Sequence, residues 1–161
     1  IWDAMDSNLF HSKKDIDNYL CSLEPNARLL FLSHALEQAL AKGKASAAEV
    51  LVLNGYYYKY FASELALGAD KDLAYKLISF FPVPNLVIKL EATEEIAFSR
   101  KDKLSRYECG TQSAIESNFV SFQKKVSNEW DSFDQTHWKF ISSDFPKETV
   151  FSKALELIES L

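Results

Sequence analysis

Leu86-Val87-Ile88-Lys89-Leu90 decides the fold: a short apolar run with Pro82 and Pro84 before it and Thr93-Glu94-Glu95-Ile96 after it. Near-continuous hydrophobicity over that length suits a strand buried on both faces. Thr93 followed by two acids then predicts the opening of a helix. Working outward, Glu49-Val50-Leu51-Val52-Leu53 has the same apolar character and is closed by Asn54-Gly55, so it predicts an earlier strand. Trp138-Lys139-Phe140-Ile141 predicts a third.

Helical spacing fills the intervals. Leu29, Leu32, Leu36 and Leu40 mark a helix from Arg28 to Lys42, with Gly43 as its stop. A helical stretch is expected from about Tyr57 to Phe80. Ile115, Phe119, Phe122, Val126 and Trp130 define an amphipathic helix whose apolar stripe is core. Val150, Ala154, Leu157, Ile158 and Leu161 define a closing helix. Ile1-Trp2-Asp3-Ala4-Met5 reads as a helix already under way, with more chain expected before it. Alternating helices and apolar strands predict an α/β fold of three layers.

Composition narrows the class. The 161 residues suit a single domain, and 47% hydrophobic, 14% aromatic and 25% charged residues describe an ordered globular chain. A net charge of -5 argues against binding a nucleic acid polymer. Two cysteines, Cys21 and Cys109, build no disulfide framework, which favours a reducing, cytoplasmic setting. No apolar run reaches the roughly 18 residues of a membrane span, and no signal peptide is evident. His11, His34 and His137 lack metal-ligand spacing, and nothing resembles a G-x-S-x-G elbow.

Against this acidic background Arg100, Lys101, Lys103 and Arg106 form a basic run between strand and helix. Such a run is either a solvated loop or the seat of an anion. In open parallel sheets ligands bind beyond the carboxyl ends of strands, which is where this segment falls. Guanidinium forks match phosphate oxygens in pairs, so Arg100 and Arg106 suit a phosphate chain. Tyr56, Tyr57, Tyr58, Lys59 and Tyr60 follow the earlier strand and read either as a base-stacking and phosphate-holding surface or as an aromatic patch closing the helix-sheet interface. The glycine-rich GxxxxGK loop that ordinarily cradles phosphates is absent, since Gly43, Gly55, Gly68 and Gly110 are widely separated.

The order of these segments resembles the thymidylate kinase family of nucleoside monophosphate kinases, over nearly the whole chain. Arg28 to Ala35 is similar to that family's LLFxAxR helix, with Phe31 at the base-stacking aromatic and Ala35 where an arginine is expected. Leu51 to Tyr56 resembles the strand ending in Asp-Arg-Tyr, with Asn54 and Gly55 replacing the acid and the arginine. Lys59 then offers a substitute cation. Pro84 to Leu90 is similar to the Pro-Asp-Leu strand, and Ala97 with Arg100 to the A-x-x-R that stacks on adenine. Arg106-Tyr107-Glu108 resembles the Arg-aromatic-Glu of the lid, and Trp138 to Asp144 the last strand with its adenine-side loop.

The resemblance implies a three-layer P-loop kinase-like fold with a parallel sheet flanked by helices. It implies transfer of the ATP γ-phosphoryl to dTMP or a related deoxynucleotide, with Mg²⁺ accompanying ATP. Arg106 would be catalytic, Phe31, Tyr56, Lys59 and Tyr107 would bind the acceptor, and Arg100 and Asp144 would bind ATP. Residues 1–161 would form the C-terminal three-quarters of a longer domain, packed as a helix-paired homodimer. The alternative is a degenerate, non-catalytic relative that binds nucleotide or a protein partner, favoured by the charges lost at Ala35, Asn54 and Gly55.

Overall fold

The computed structural model describes residues 10–161. In chain order they form α1 (Lys13–Ser22), α2 (Pro25–Lys44), α3 (Tyr56–Ala66), α4 (Lys71–Ile78), β1 (Val87–Glu91), α5 (Glu94–Ser99), a 3₁₀ turn (Tyr107–Cys109), α6 (Glu116–Trp130), β2 (Trp138–Ser142) and α7 (Lys147–Glu159). Side-chain caps explain several starts. Ser12 accepts from the Asp15 amide at 3.2 Å, Asp70 from Leu73 at 2.7 Å and Thr93 from Ile96 at 3.3 Å, each satisfying an otherwise orphaned donor. Pro25 opens α2, where its missing N–H costs nothing.

β1 and β2 run parallel, with Val87 opposite Trp138 and Glu91 opposite Ser142. A parallel pair needs a long crossover, here supplied by α5, the 3₁₀ turn and α6. Ser143 extends the ladder, its amide donating to the Glu91 carbonyl at 2.8 Å and its hydroxyl at 2.7 Å. The result is a mixed helix and strand architecture, consistent with α/β, whose sheet has two strands among the described residues.

α3 packs against both α2 and α6 and carries the core. Phe61, Leu29 and Leu32 are fully enclosed, each contributing about 1.5–3 kcal/mol by burial. Trp138 brings β2 into the same cluster, its ring 4.7 Å from that of Tyr58. α7 packs on β2 yet buries none of its own residues.

Several expectations need correction. Glu49 to Leu53 is not a strand: it has no ladder partner among the described residues, and Val50 and Val52 are 61% and 78% exposed. Apolar β-branched residues fit a strand only where a neighbour takes up the backbone bonds, and β1 bonds to β2. Gly43 does not stop α2, which runs one residue further to Lys44, and Leu51 lies against that glycine. The stretch from Tyr57 to Phe80 is two helices, parted at Gly68, whose φ of 92° suits a residue without Cβ. Ile115 is the exposed cap of α6 rather than core, and Leu161 lies beyond α7 in solvent. The helix expected over Ile1 to Met5 lies outside the described residues. No helix among the described residues is long and apolar enough to cross a membrane.

Candidate functional site

The basic segment leaves α5, meets α1 at Asp17 and α3 at Glu64, and enters α6 after the 3₁₀ turn. Between Arg100 and Arg106 it has neither helix nor strand, and it is tied to itself through Glu108. That carboxylate accepts from the Lys101 ammonium, and from the Ser105 amide and hydroxyl at 3.2 Å each. Burial raises Glu108, but Lys101 and Ser105 outweigh it and hold the carboxyl below its ordinary value. Gly110, at φ 66°, ends the 3₁₀ turn against Phe122, where a Cβ would come within 2.9 Å of the ring.

Beneath the segment is a buried polar group that sequence reasoning missed. Arg28 and Glu64 are 2% and 0% exposed. The Arg28 Nε donates to Glu64 Oε1 at 3.0 Å and Oε2 at 2.8 Å, while Nη1 donates to the Leu20 and Leu23 carbonyls at 2.8 Å each. Arg28 thereby caps the end of α1, where a cation meets the negative pole of the helix. The Tyr107 hydroxyl donates to Glu64 Oε1 at 2.8 Å. Burial pushes the Glu64 carboxyl up, with Arg28 and Tyr107 pulling against it, and burial also raises Tyr107 well above the phenol range, reinforced by Glu64. The only signal in the sequence was a charged residue on the apolar face of each helix.

The other expected site residues distribute around this group. Arg106 is exposed, its guanidinium donating to the Thr111 carbonyl at 3.2 Å and its amide to Asp17 at 3.2 Å. Lys59 projects from α3 toward Lys101 and Glu108; desolvation and Lys101 lower its pKa while Glu108 opposes them. Phe31 stands edge-on to Tyr19, with centroids 5.0 Å apart, and to Phe10 at 6.0 Å. Arg100 turns the other way and donates to the Ser143 carbonyl at 2.7 Å, beside exposed Asp144. Thus Tyr107 meets Glu64 near the C-terminal end of α3 while Lys59 stands in its first turn, Arg106 lies over α1 through Asp17, Arg100 meets the loop after β2 next to Asp144, and Phe31 lies with Phe10 and Tyr19.

The tyrosine run is core. Tyr56 is buried, with its hydroxyl donating to the Pro82 carbonyl at 3.0 Å, and desolvation pushes its pKa up to about 12. Tyr57 stacks on Phe81 at 5.7 Å, and Tyr58 meets Phe133 at 5.5 Å. The interface-closing alternative therefore describes these rings. Ala35 is fully buried on α2, so that position faces packed side chains.

Set beside known proteins, the chain is 37% identical over 57 residues to "Probable thymidylate kinase 1" of Saccharolobus solfataricus, covering 35% of this chain and 30% of that protein. It is 26% identical over 103 residues to "Probable thymidylate kinase 2" of the same organism, covering 59% and 48%. The relationship to thymidylate kinases is distant. The chain thus spans less than half the length of these relatives. No family model matches, and no solved structure matches. Among the described residues no group of three or more His, Cys, Asp or Glu could hold a metal ion, and Asn54 offers an exposed amide where an acid would be needed. The described residues do not fit a protein-held Mg²⁺.

Proposed function

We propose that this chain forms the acceptor-binding and lid-bearing portion of a thymidylate-kinase-like phosphotransferase acting on ATP and dTMP or a related deoxynucleotide. The observation that carries the reading is that Lys59, from α3, lies within electrostatic reach of Lys101 and Glu108, which are bonded to each other in the basic segment. A partly desolvated ammonium beside further cations attracts a multiply charged anion more strongly than isolated surface lysines do. Phosphoryl transfer is largely positioning and neutralisation of spreading charge, so these are the groups such chemistry uses. Arg106 serves the transferring phosphates, and Lys59, Phe31 and Tyr107 form the acceptor side, Tyr56 being core and not a ligand contact. Arg100 and Asp144 form the adenine side, where the Arg100 guanidinium already braces the loop after β2.

A second reading, a non-catalytic relative that binds nucleotide or a protein partner, draws on two observations. The backbone at Gly55 has φ 83°, which disfavours the arginine expected there. The Tyr107 hydroxyl is engaged by Glu64 within the protein. ADP production from ATP with dTMP, dUMP and dCMP as acceptors separates the two. Turnover with one of them supports the phosphotransferase, and nucleotide binding without turnover supports the second reading.

A further inference from the structure

We infer that the basic segment is a strap held shut by two carboxylates, Asp17 of α1 and Glu64 of α3, which act as positioning residues for the cations it carries. The inference rests on the proposed nucleotide site for what the strap covers, and on the following contacts for how it is held.

Asp17 takes the backbone. Its Oδ2 accepts the Arg106 amide at 3.2 Å and its Oδ1 the Tyr107 amide at 3.0 Å, across 89 and 90 residues of sequence. Glu64 takes the side chain, through the Tyr107 hydroxyl at 2.8 Å. The two jaws are joined by one guanidinium, since Arg28 bonds both Glu64 and the Leu20 and Leu23 carbonyls at the end of the helix bearing Asp17. A shift of α1 relative to α3 therefore disturbs either the buried ion pair or the two carbonyl bonds of Arg28.

The strap behaves as a unit because Glu108 binds Lys101 and Ser105 within it. Its C-terminal end is fixed: Cys109 is fully buried, Gly110 abuts Phe122, and the Gln123 side-chain amide donates to the Glu108 carbonyl at 3.0 Å. At the other end Arg100 holds the Ser143 carbonyl. Opening between these ends releases Asp17 and Tyr107 to water and leaves Glu64 still paired with Arg28. No buried charge is orphaned, which is what a reversible clasp requires and what breaking the ion pair itself would not allow.

Trypsin tests this on the whole chain, because Arg100, Lys101, Lys103 and Arg106 are all cleavage points inside the strap. Asp17→Asn and Tyr107→Phe each remove a clasp contact while leaving Arg28 paired. Each should speed cleavage between residues 100 and 106 by about tenfold, the scale of one charge-assisted hydrogen bond, without a matching change in the urea midpoint. Asp17→Glu should restore part of the protection. Unchanged cleavage in both variants overturns the clasp, as does acceleration that merely tracks global destabilisation. A parallel arm adds dTMP with a non-hydrolysable ATP analogue. Faster cleavage in the variants without nucleotide protection in the parent sustains the clasp and removes the nucleotide reading. Protection by nucleotide with no effect of either substitution removes the clasp and sustains that reading.

Discussion

Arg28 and Glu64, 36 residues apart in sequence, meet in the core with Nε 2.8 Å from Oε2, and neither is reached by solvent to any useful extent. Every partner of the pair is a main-chain carbonyl or a side chain of another element, so the pair reports on how α1, α2 and α3 sit together. Such a pair contributes little against well-packed apolar residues, but breaking it is costly because one charge stays behind. Glu64→Leu should therefore lose about 3–5 kcal/mol in urea unfolding. Adding Arg28→Met should return part of that loss, the remainder reflecting the Leu20 and Leu23 carbonyls left without a donor. A loss below about 1 kcal/mol for Glu64→Leu would place the pair with exposed ion pairs and refute this account.

Where apolar periodicity coincides with a partner, the sequence foretold the element. Val87 to Glu91 and Trp138 to Ser142 became strands because each supplies the other's hydrogen bonds. Glu49 to Leu53 carries a comparable apolar run and stayed irregular, because pairing is a property of a neighbour and not of the run itself. In the candidate site, Arg106 stood out in the basic run, and Tyr107 entered only through the resemblance to the Arg-aromatic-Glu of the lid. Arg28, Glu64 and Asp17 were not, since a charge on a helix face reads as solvated until tertiary contacts bury it. The tyrosines after Gly55 allowed two readings, a ligand surface for their polar tips or an aromatic patch closing the interface, and their rings serve the core.

Glu108 gives the strap a dependence on pH. Its folded pKa lies below the ordinary 4.5, so its stabilising contribution is complete above that value and is lost as pH falls through the folded one. Amide exchange at Ser105, corrected for intrinsic rates, should lose protection on acidification below pH 4.5. Glu108→Gln should abolish that dependence. The same acid dependence in the variant would assign the titration to another carboxylate.

Gly55 and Gly68 allow a controlled comparison. Both have positive φ, at 83° and 92°, so alanine costs each about 1–2 kcal/mol of backbone strain. At Gly68 the new Cβ meets open space, whereas at Gly55 it falls 2.8 Å from the Lys59 Cδ. Thermal unfolding should show Gly68→Ala destabilised by the backbone term alone and Gly55→Ala by at least as much. Gly55→Ala should also shift the Lys59 ammonium resonance, because that side chain must give way. A shift of equal size in Gly68→Ala would disconnect Gly55 from Lys59.

Lys59 carries the sharpest test of the phosphate assignment. Its side chain is exposed over much of its length, yet its ammonium is desolvated enough to fall below the ordinary lysine value. Glu108 is the opposing charge that acts on it and already serves Lys101, so a phosphate brought to this position would find a cation that is only partly neutralised. A charge-assisted contact there contributes about 1.5–3 kcal/mol, which corresponds to roughly a 10- to 100-fold loss in affinity when it is removed. Calorimetry on Lys59→Ala should accordingly show that loss for dTMP and no change for thymidine, which has the same base and sugar without the phosphate. Lys59→Arg, which keeps the charge, should recover most of the dTMP affinity. Equal losses for dTMP and thymidine would move Lys59 from the phosphate to the nucleoside or to the packing of α3, and unchanged affinity for both would remove it from the site.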